Sequence, residues 1–196
     1  MTSAVETEIK FHIGDIASLT ARLPEAGLRL TTPRTHELNT LYDLPGRPLR
    51  SQGCLLRVRK YGDLWTVTFK GKASTGRYKS RKEIETPVQD GHALMQILEN
   101  SGFEPIFCYE KFRSEWIGDR GHLLIDETPI GNFGEIEGPG DWIDAVARRL
   151  EIYPNQYITD SYAALFEKWK LRTGSAAKNM CFTEVSENKS GAPQHK

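Results

Sequence analysis

The sequence predicts an α+β fold, largely antiparallel, in which strands with one charged face close into a tube and helices flank it. Two observations lead there. Five short stretches carry charge at every second position: Glu6-Thr7-Glu8-Ile9-Lys10, Arg57-Val58-Arg59, Arg81-Lys82-Glu83-Ile84-Glu85, Lys111-Phe112-Arg113 and Glu135-Ile136-Glu137. Alternate side chains of a strand point to opposite faces, so each stretch gathers its charges on one face and leaves Ile9, Val58, Ile84, Phe112 and Ile136 on the other. The second observation is the element order, β-α-β-β-β-β-α-β-β-β-α-α, with no repeat and no linker that would split residues 1–173.

The first strand spans Val5–His12. Asp15 then caps a helix whose apolar stripe is Ile16, Leu19 and Leu23, ending near Gly27. Residues 36–44 and 53–61 read as strands joined by the turn Pro45-Gly46-Arg47-Pro48. Leu64–Lys72 follows, with Trp65, Val67 and Phe69 on one face and Thr66, Thr68, Lys70 and Lys72 on the other. A loop, Ala73–Gly76, leads into the strand Arg77–Pro87. Asp90 caps a second helix that Gly102 ends. Phe107–Ile117 and His122–Glu127 form a strand pair, and a last strand ends at Gly138. Helices follow at 141–151 and from Thr159 to Arg172, the latter with Tyr162, Leu165, Phe166 and Trp169 as its buried stripe. From Gly174 the composition turns polar, which predicts a disordered tail over residues 174–196.

The 196 residues suffice for one sizeable domain. The 26 basic and 26 acidic side chains cancel, which leaves no global field to attract nucleic acid or a membrane surface. No run approaches membrane-span length and no signal-peptide pattern opens the chain. Three scattered cysteines, Cys54, Cys108 and Cys181, lack ligand spacing and read as reduced thiols of a cytoplasmic protein. His12, His36, His92 and His122 form no metal-spaced cluster.

A single charged face ordinarily faces water, where its ion pairs contribute about 0–1 kcal/mol each. Here like charges are grouped and Arg occurs in pairs, so an anion or opposing carboxylates must lie across from them. A triphosphate carries about four negative charges, and Arg forks with Lys point charges supply the surrounding donors. Glutamate pairs are oxygen ligands of the kind Mg²⁺ or Mn²⁺ prefers.

In order, ExExK, RxR, a Thr-Phe-Lys strand, RxExE, KxR and a late ExE after an aspartate resemble the CYTH, or triphosphate tunnel metalloenzyme, superfamily, over residues 5–170. The resemblance implies an eight-stranded antiparallel β-tunnel holding a triphosphate or nucleotide with a divalent metal. It implies metal ligands at Glu6, Glu8, Glu135, Glu137 and, less securely matched, Asp126. Phosphate would be bound by Arg57, Arg59, Lys70, Arg81, Lys111 and Arg113. Glu83 and Glu85 match lumen carboxylates, Lys72 and Lys79 share the lumen parity, and Thr159–Phe166 resembles the family's C-terminal helix. The motif lysine, Lys10, is expected to be a phosphate contact or, with its ammonium destabilised in a low-dielectric lumen, a general base. The implied chemistry is hydrolysis of inorganic triphosphate, thiamine triphosphate or a similar compound. A class IV adenylyl cyclase and a non-catalytic sensor are the alternatives, in a monomer or homodimer that contacts neither nucleic acid nor membrane.

Overall fold

The structure is a computed structural model that describes residues 2–188, without the side chains of residues 2–4 and 75. Nine strands run in chain order: β1 (Thr2–His12), β2 (Arg29–Asp43), β3 (Leu55–Tyr61), β4 (Leu64–Lys70), β5 (Ser74–Thr75), β6 (Lys79–Val88), β7 (Glu104–Ile117), β8 (His122–Thr128) and β9 (Gly131–Glu137). Their order in the sheet is β1-β9-β8-β7-β2-β3-β4-β6, and β1 pairs back onto β6. The result is a closed antiparallel barrel of eight strands, with β5 a short appendage on β6. Closure leaves no bare edge in the barrel wall.

Six α-helices flank the barrel among the described residues: α1 (Ile16–Arg22), α2 (Pro48–Ser51), α3 (Gly91–Asn100), α4 (Gly140–Arg149), α5 (Tyr162–Thr173) and α6 (Phe182–Asn188). Asp15 and Asp90 accept from the amides of Ala17 and Ala93 at 2.9 Å, so both expected caps form. Ser161 caps α5 in the same way.

The apolar core lies outside the barrel wall. Ile9 and Phe11 of β1, Leu123 and Ile125 of β8 and Ile136 of β9 point outward against Leu19, Leu23, Trp142, Ile143, Val146 and Leu150. Each such side chain stabilises the fold by about 1.5–3 kcal/mol when fully buried. A second cluster joins Tyr162, Leu165, Phe166 and Trp169 of α5 to Tyr109, Phe133, Met180 and Val185. Helix α3 meets the β4 side of the wall at Gly91, where a Cβ would collide with the Trp65 indole.

Several boundaries differ from the sequence reading. β2 begins at Arg29, but its first residues carry register shifts around Thr32 and Pro33, which hides the alternation. β7 begins at Glu104 despite Pro105. The tail does not start at Gly174. Residues 175–188 fold back on β7, with hydrogen bonds from Met180 N to Cys108 O at 3.0 Å and from Glu110 N to Met180 O at 3.1 Å. Ala177, Met180 and Val185 are buried there, few enough that composition alone reads as polar. The rest of the expected tail, residues 189–196, lies outside the described residues. No described helix is long and apolar enough to cross a membrane.

On β9, a Cβ at Gly134 would meet the Phe11 ring, which is buried and has nowhere to move. Gly134→Ala should therefore destabilise the protein by about 1–3 kcal/mol in urea denaturation, as overpacking does. An unchanged midpoint would mean that helices α1 and α4 do not hold Phe11 against this wall.

Candidate active site

Strand parity turns the motifs inward. The lumen is lined by Glu6, Glu8 and Lys10 from β1, Arg57 and Arg59 from β3 and Lys70 from β4. Lys79, Arg81, Glu83 and Glu85 come from β6, Lys111 and Arg113 from β7, and Glu135 and Glu137 from β9. Together they surround a cavity of about 670 Å³. Low exposure makes these charges costly unless they are paired: Lys10 is 3% exposed, Glu135 4%, and Glu37 and Asp126 0%.

The pairing is specific. Lys10 Nζ lies 2.9 Å from Glu8 and 3.2 Å from Glu135. Arg113 donates to both oxygens of Asp126 at 2.6 Å and to Glu135 at 2.8 Å. Lys111 reaches Asp126 at 2.9 Å and Glu37 at 3.4 Å. The Tyr162 hydroxyl donates to Asp126 at 2.5 Å, with the Lys111 ammonium 4.8 Å from its ring centre. Across the lumen, Arg57 and Arg59 share Glu85 at 3.3 and 2.9 Å. Lys70 bridges Glu83 and Glu6 at 2.6 and 3.1 Å, and Lys79 donates to Glu8 at 2.7 Å.

Three carboxylates also converge on one another within this network. Glu6, Glu8 and Glu137 each present an oxygen, all within 4.8 Å of one another. The register explains it: Glu8 is the partner of Glu137, whereas Lys10 is the partner of Glu135. Burial, then the charges of Glu6, Glu135 and Glu8, push the Glu137 carboxyl up to about 8. Burial and the hydrogen bond to Glu6 push Glu83 up to about 7. Crowded oxygen donors of this kind fit a hard divalent cation, which would relieve their mutual repulsion. Glu6, Glu8 and Glu137 are thus the residues that could hold one.

Several expected positions change. Asp126 and Glu135 are not part of that cluster: the register sets Glu135 beside Lys10, and Asp126 accepts from Lys111, Arg113 and Tyr162. Lys72 is exposed beyond the end of β4, where its side chain packs beside Gly53 and does not line the cavity. Gly71, bonded to the Lys82 carbonyl, follows the last paired residue of β4 and interrupts the parity. Lys10 does not lose its proton readily: burial disfavours the ammonium, but Glu135 and Glu8 outweigh it and hold the pKa well above the ordinary lysine value. Lys79 moves the other way, lowered by burial and by the neighbouring Lys10 charge. Arg81 lines the cavity with its Nε lacking a hydrogen-bond partner among the described residues.

Sequence reasoning missed Glu37, which faces Lys111, Arg113 and Arg59 and accepts from Asn39 at 2.9 Å. The signal was present as polar residues of one parity, Glu37, Asn39 and Asp43, but Leu41 interrupts them and they contain no adjacent charge pair. It also missed the lining residues Tyr109, Glu115 and His122. Tyr162 is in the buried stripe of α5 as expected, and its hydroxyl in addition reaches Asp126.

The CYTH domain family matches residues 4–162. The chain belongs to that family. CYTH triphosphate tunnel enzymes are metal-dependent and bind triphosphate or nucleotide substrates. A protein of Methanocaldococcus jannaschii named "Putative adenylate cyclase MJ0240" is 27% identical over 134 residues, 68% of this chain and 76% of that one. Among solved structures, a "putative adenylate cyclase" of Vibrio parahaemolyticus superposes with a TM-score of 0.75 at 20% identity, covering 85% of this chain and 99% of that one. The Hippeastrum protein HpAC1, described as having a dominant triphosphatase activity, gives 0.61 at 16% identity, covering 85% and 96%. At such identities these structures establish a shared CYTH fold.

The Glu137 shift has a readable consequence in metal-free protein. Its folded pKa is raised, so the stability it confers is full below the ordinary value of 4.5 and is lost as pH climbs through about 8. Urea denaturation of wild type and Glu137→Gln in a chelator should therefore show wild type losing stability relative to the variant over that window, with the gap constant above it. A gap that does not change with pH would mean that Glu137 is not crowded by like charge.

Proposed function

We propose that the chain is a metal-dependent hydrolase of triphosphates, with the phosphate chain lying along the tunnel. The observation that carries this reading is the division of one enclosed cavity between two kinds of group. Three convergent carboxylates, Glu6, Glu8 and Glu137, stand at one place, and Arg57, Arg59, Lys111 and Arg113 line the remainder. Mg²⁺ or Mn²⁺ on the three glutamates would supply concentrated positive charge against phosphate oxygens. Glu135, half of the expected metal pair, instead positions Lys10 and Arg113.

The protein's own groups do the rest. Arg57, Arg59, Lys70, Arg81, Lys111 and Arg113 bind phosphate oxygens and stabilise the charge that builds up as the terminal phosphoryl group leaves. Lys10, fully charged between Glu8 and Glu135, serves as a fixed cation beside the phosphate and not as a base. Glu37 and Asp126 hold Lys111 and Arg113 in place from behind, so these donors need no reorganisation during reaction. Tyr162 and Phe133 meet edge to face at 5.7 Å and shield the Asp126 pairs from water.

A second reading, cyclisation of ATP to cyclic AMP and pyrophosphate, is favoured by the name of the Methanocaldococcus relative and by the apolar part of the cavity lining. There Leu41, Leu55, Ile106 and Phe107 offer apolar walls to an organic group. One assay separates the two: purified protein with Mg²⁺ or Mn²⁺ and a panel of inorganic triphosphate, thiamine triphosphate and ATP. Orthophosphate release is the expected result. Cyclic nucleotide with pyrophosphate would replace hydrolysis by cyclisation, and tight binding with neither product would make the protein a sensor.

Arg57→Ala should weaken inorganic triphosphate binding by about 2–4 kcal/mol, as loss of an enclosed charge-assisted contact does. Calorimetry at constant metal concentration measures it. Unchanged affinity in a folded variant would remove Arg57 from the phosphate site.

A further inference from the structure

Cys108 and Cys181 lie 73 residues apart in sequence yet flank one bridged pair, Tyr109 of β7 and Met180. Met180 bridges Tyr109 in a parallel pairing, with hydrogen bonds to both Cys108 and Glu110. The Asn179 side chain accepts from the Cys108 amide at 2.9 Å, and Glu110 accepts from the Phe182 amide at 2.7 Å. These contacts hold the segment carrying Cys181 in register against β7, with Cys108 directly before Tyr109 and Cys181 directly after its bridge partner Met180. Both cysteines are part-exposed, so a small reagent can reach them.

We propose that Cys108 and Cys181 form a reversible disulfide that latches the C-terminal segment, residues 175–188, onto the barrel. The oxidant is a small-molecule disulfide such as oxidised glutathione. Cys108, whose thiol is held below its ordinary pKa by the hydrogen bond from Cys181, attacks one sulfur of the reagent as the thiolate. One small thiol leaves with the proton, and Cys108 carries the other as a mixed disulfide. The Cys181 sulfur, having given up its proton, then attacks the Cys108 sulfur and expels the second thiol. Two protein thiols are oxidised and one small disulfide is reduced to two thiols.

The latch acts on the tunnel as well as on the tail. Lys178 lines the cavity, and Ala177, Met180 and Val185 pack on the α5 residues Leu165, Phe166 and Trp169. The bond would close a loop containing β8, β9, α4 and α5, which limits how far the unfolded chain can expand. In the reduced protein no covalent bond ties the segment to the barrel, and its apolar contacts, the Phe112–Phe182 ring contact and its hydrogen bonds can open locally.

The test is treatment of the full chain with oxidised glutathione, followed by non-reducing peptide mapping and limited proteolysis. The expected product is a cross-linked Cys108–Cys181 peptide pair that dithiothreitol reverses, and in Cys181→Ser a persistent glutathione adduct on Cys108. Cleavage within residues 175–188 should be slowed at least several-fold in the oxidised protein and restored by reduction. A glutathione adduct that persists on Cys108 in the wild type, a cross-link through Cys54 instead, or equal cleavage before and after oxidation would overturn the proposal.

Discussion

Everything in this molecule follows from turning many charged side chains into a barrel interior where most are almost wholly removed from bulk water. Taking an ion from water costs several kcal/mol even after relaxation, and pairing recovers this only when geometry is good. The lumen meets that demand with shared partners: Glu85 serves Arg57 and Arg59, Asp126 serves Lys111 and Arg113, and Glu8 serves Lys10 and Lys79. Such a network positions side chains well but is weak evidence of stability. The cohesion comes from outside, where apolar faces of the same strands pack under α1, α4 and α5.

That division of labour also makes the site. A wall held from outside leaves its inner face free to be polar, which inverts the usual arrangement of a small barrel filled by apolar side chains. The donors are fixed by neighbouring carboxylates, so an anion entering the lumen would meet cations already oriented. Where three carboxylate oxygens crowd together, at Glu6, Glu8 and Glu137, their mutual repulsion marks the place suited to a divalent metal.

The face on which each motif lies was legible in the sequence because strand parity is a local property. Glu6, Glu8, Arg57, Arg59, Arg81, Lys111, Arg113 and Glu137 all point inward as alternation requires. Partnership was not legible, because it depends on register between strands far apart in sequence. One step along β1 and β9 decides that Glu137 joins Glu8 while Glu135 joins Lys10. Lys72 shows the limit of parity itself, which fails as soon as the chain leaves the ladder at Gly71. The C-terminal segment escaped notice for a different reason: its docking rests on Ala177, Met180 and Val185 and on backbone hydrogen bonds, none of which makes a periodic pattern.

The most direct measurement is diffraction from crystals grown with Mn²⁺ and a non-hydrolysable triphosphate, with data collected at the manganese edge. Anomalous density among Glu6, Glu8 and Glu137, with phosphate density running from it toward Arg57, Arg59 and Arg113, is the expected result. Metal and phosphate bound only on the outer surface, with the lumen ion pairs undisturbed, would contradict the charged interior as the place where this protein works.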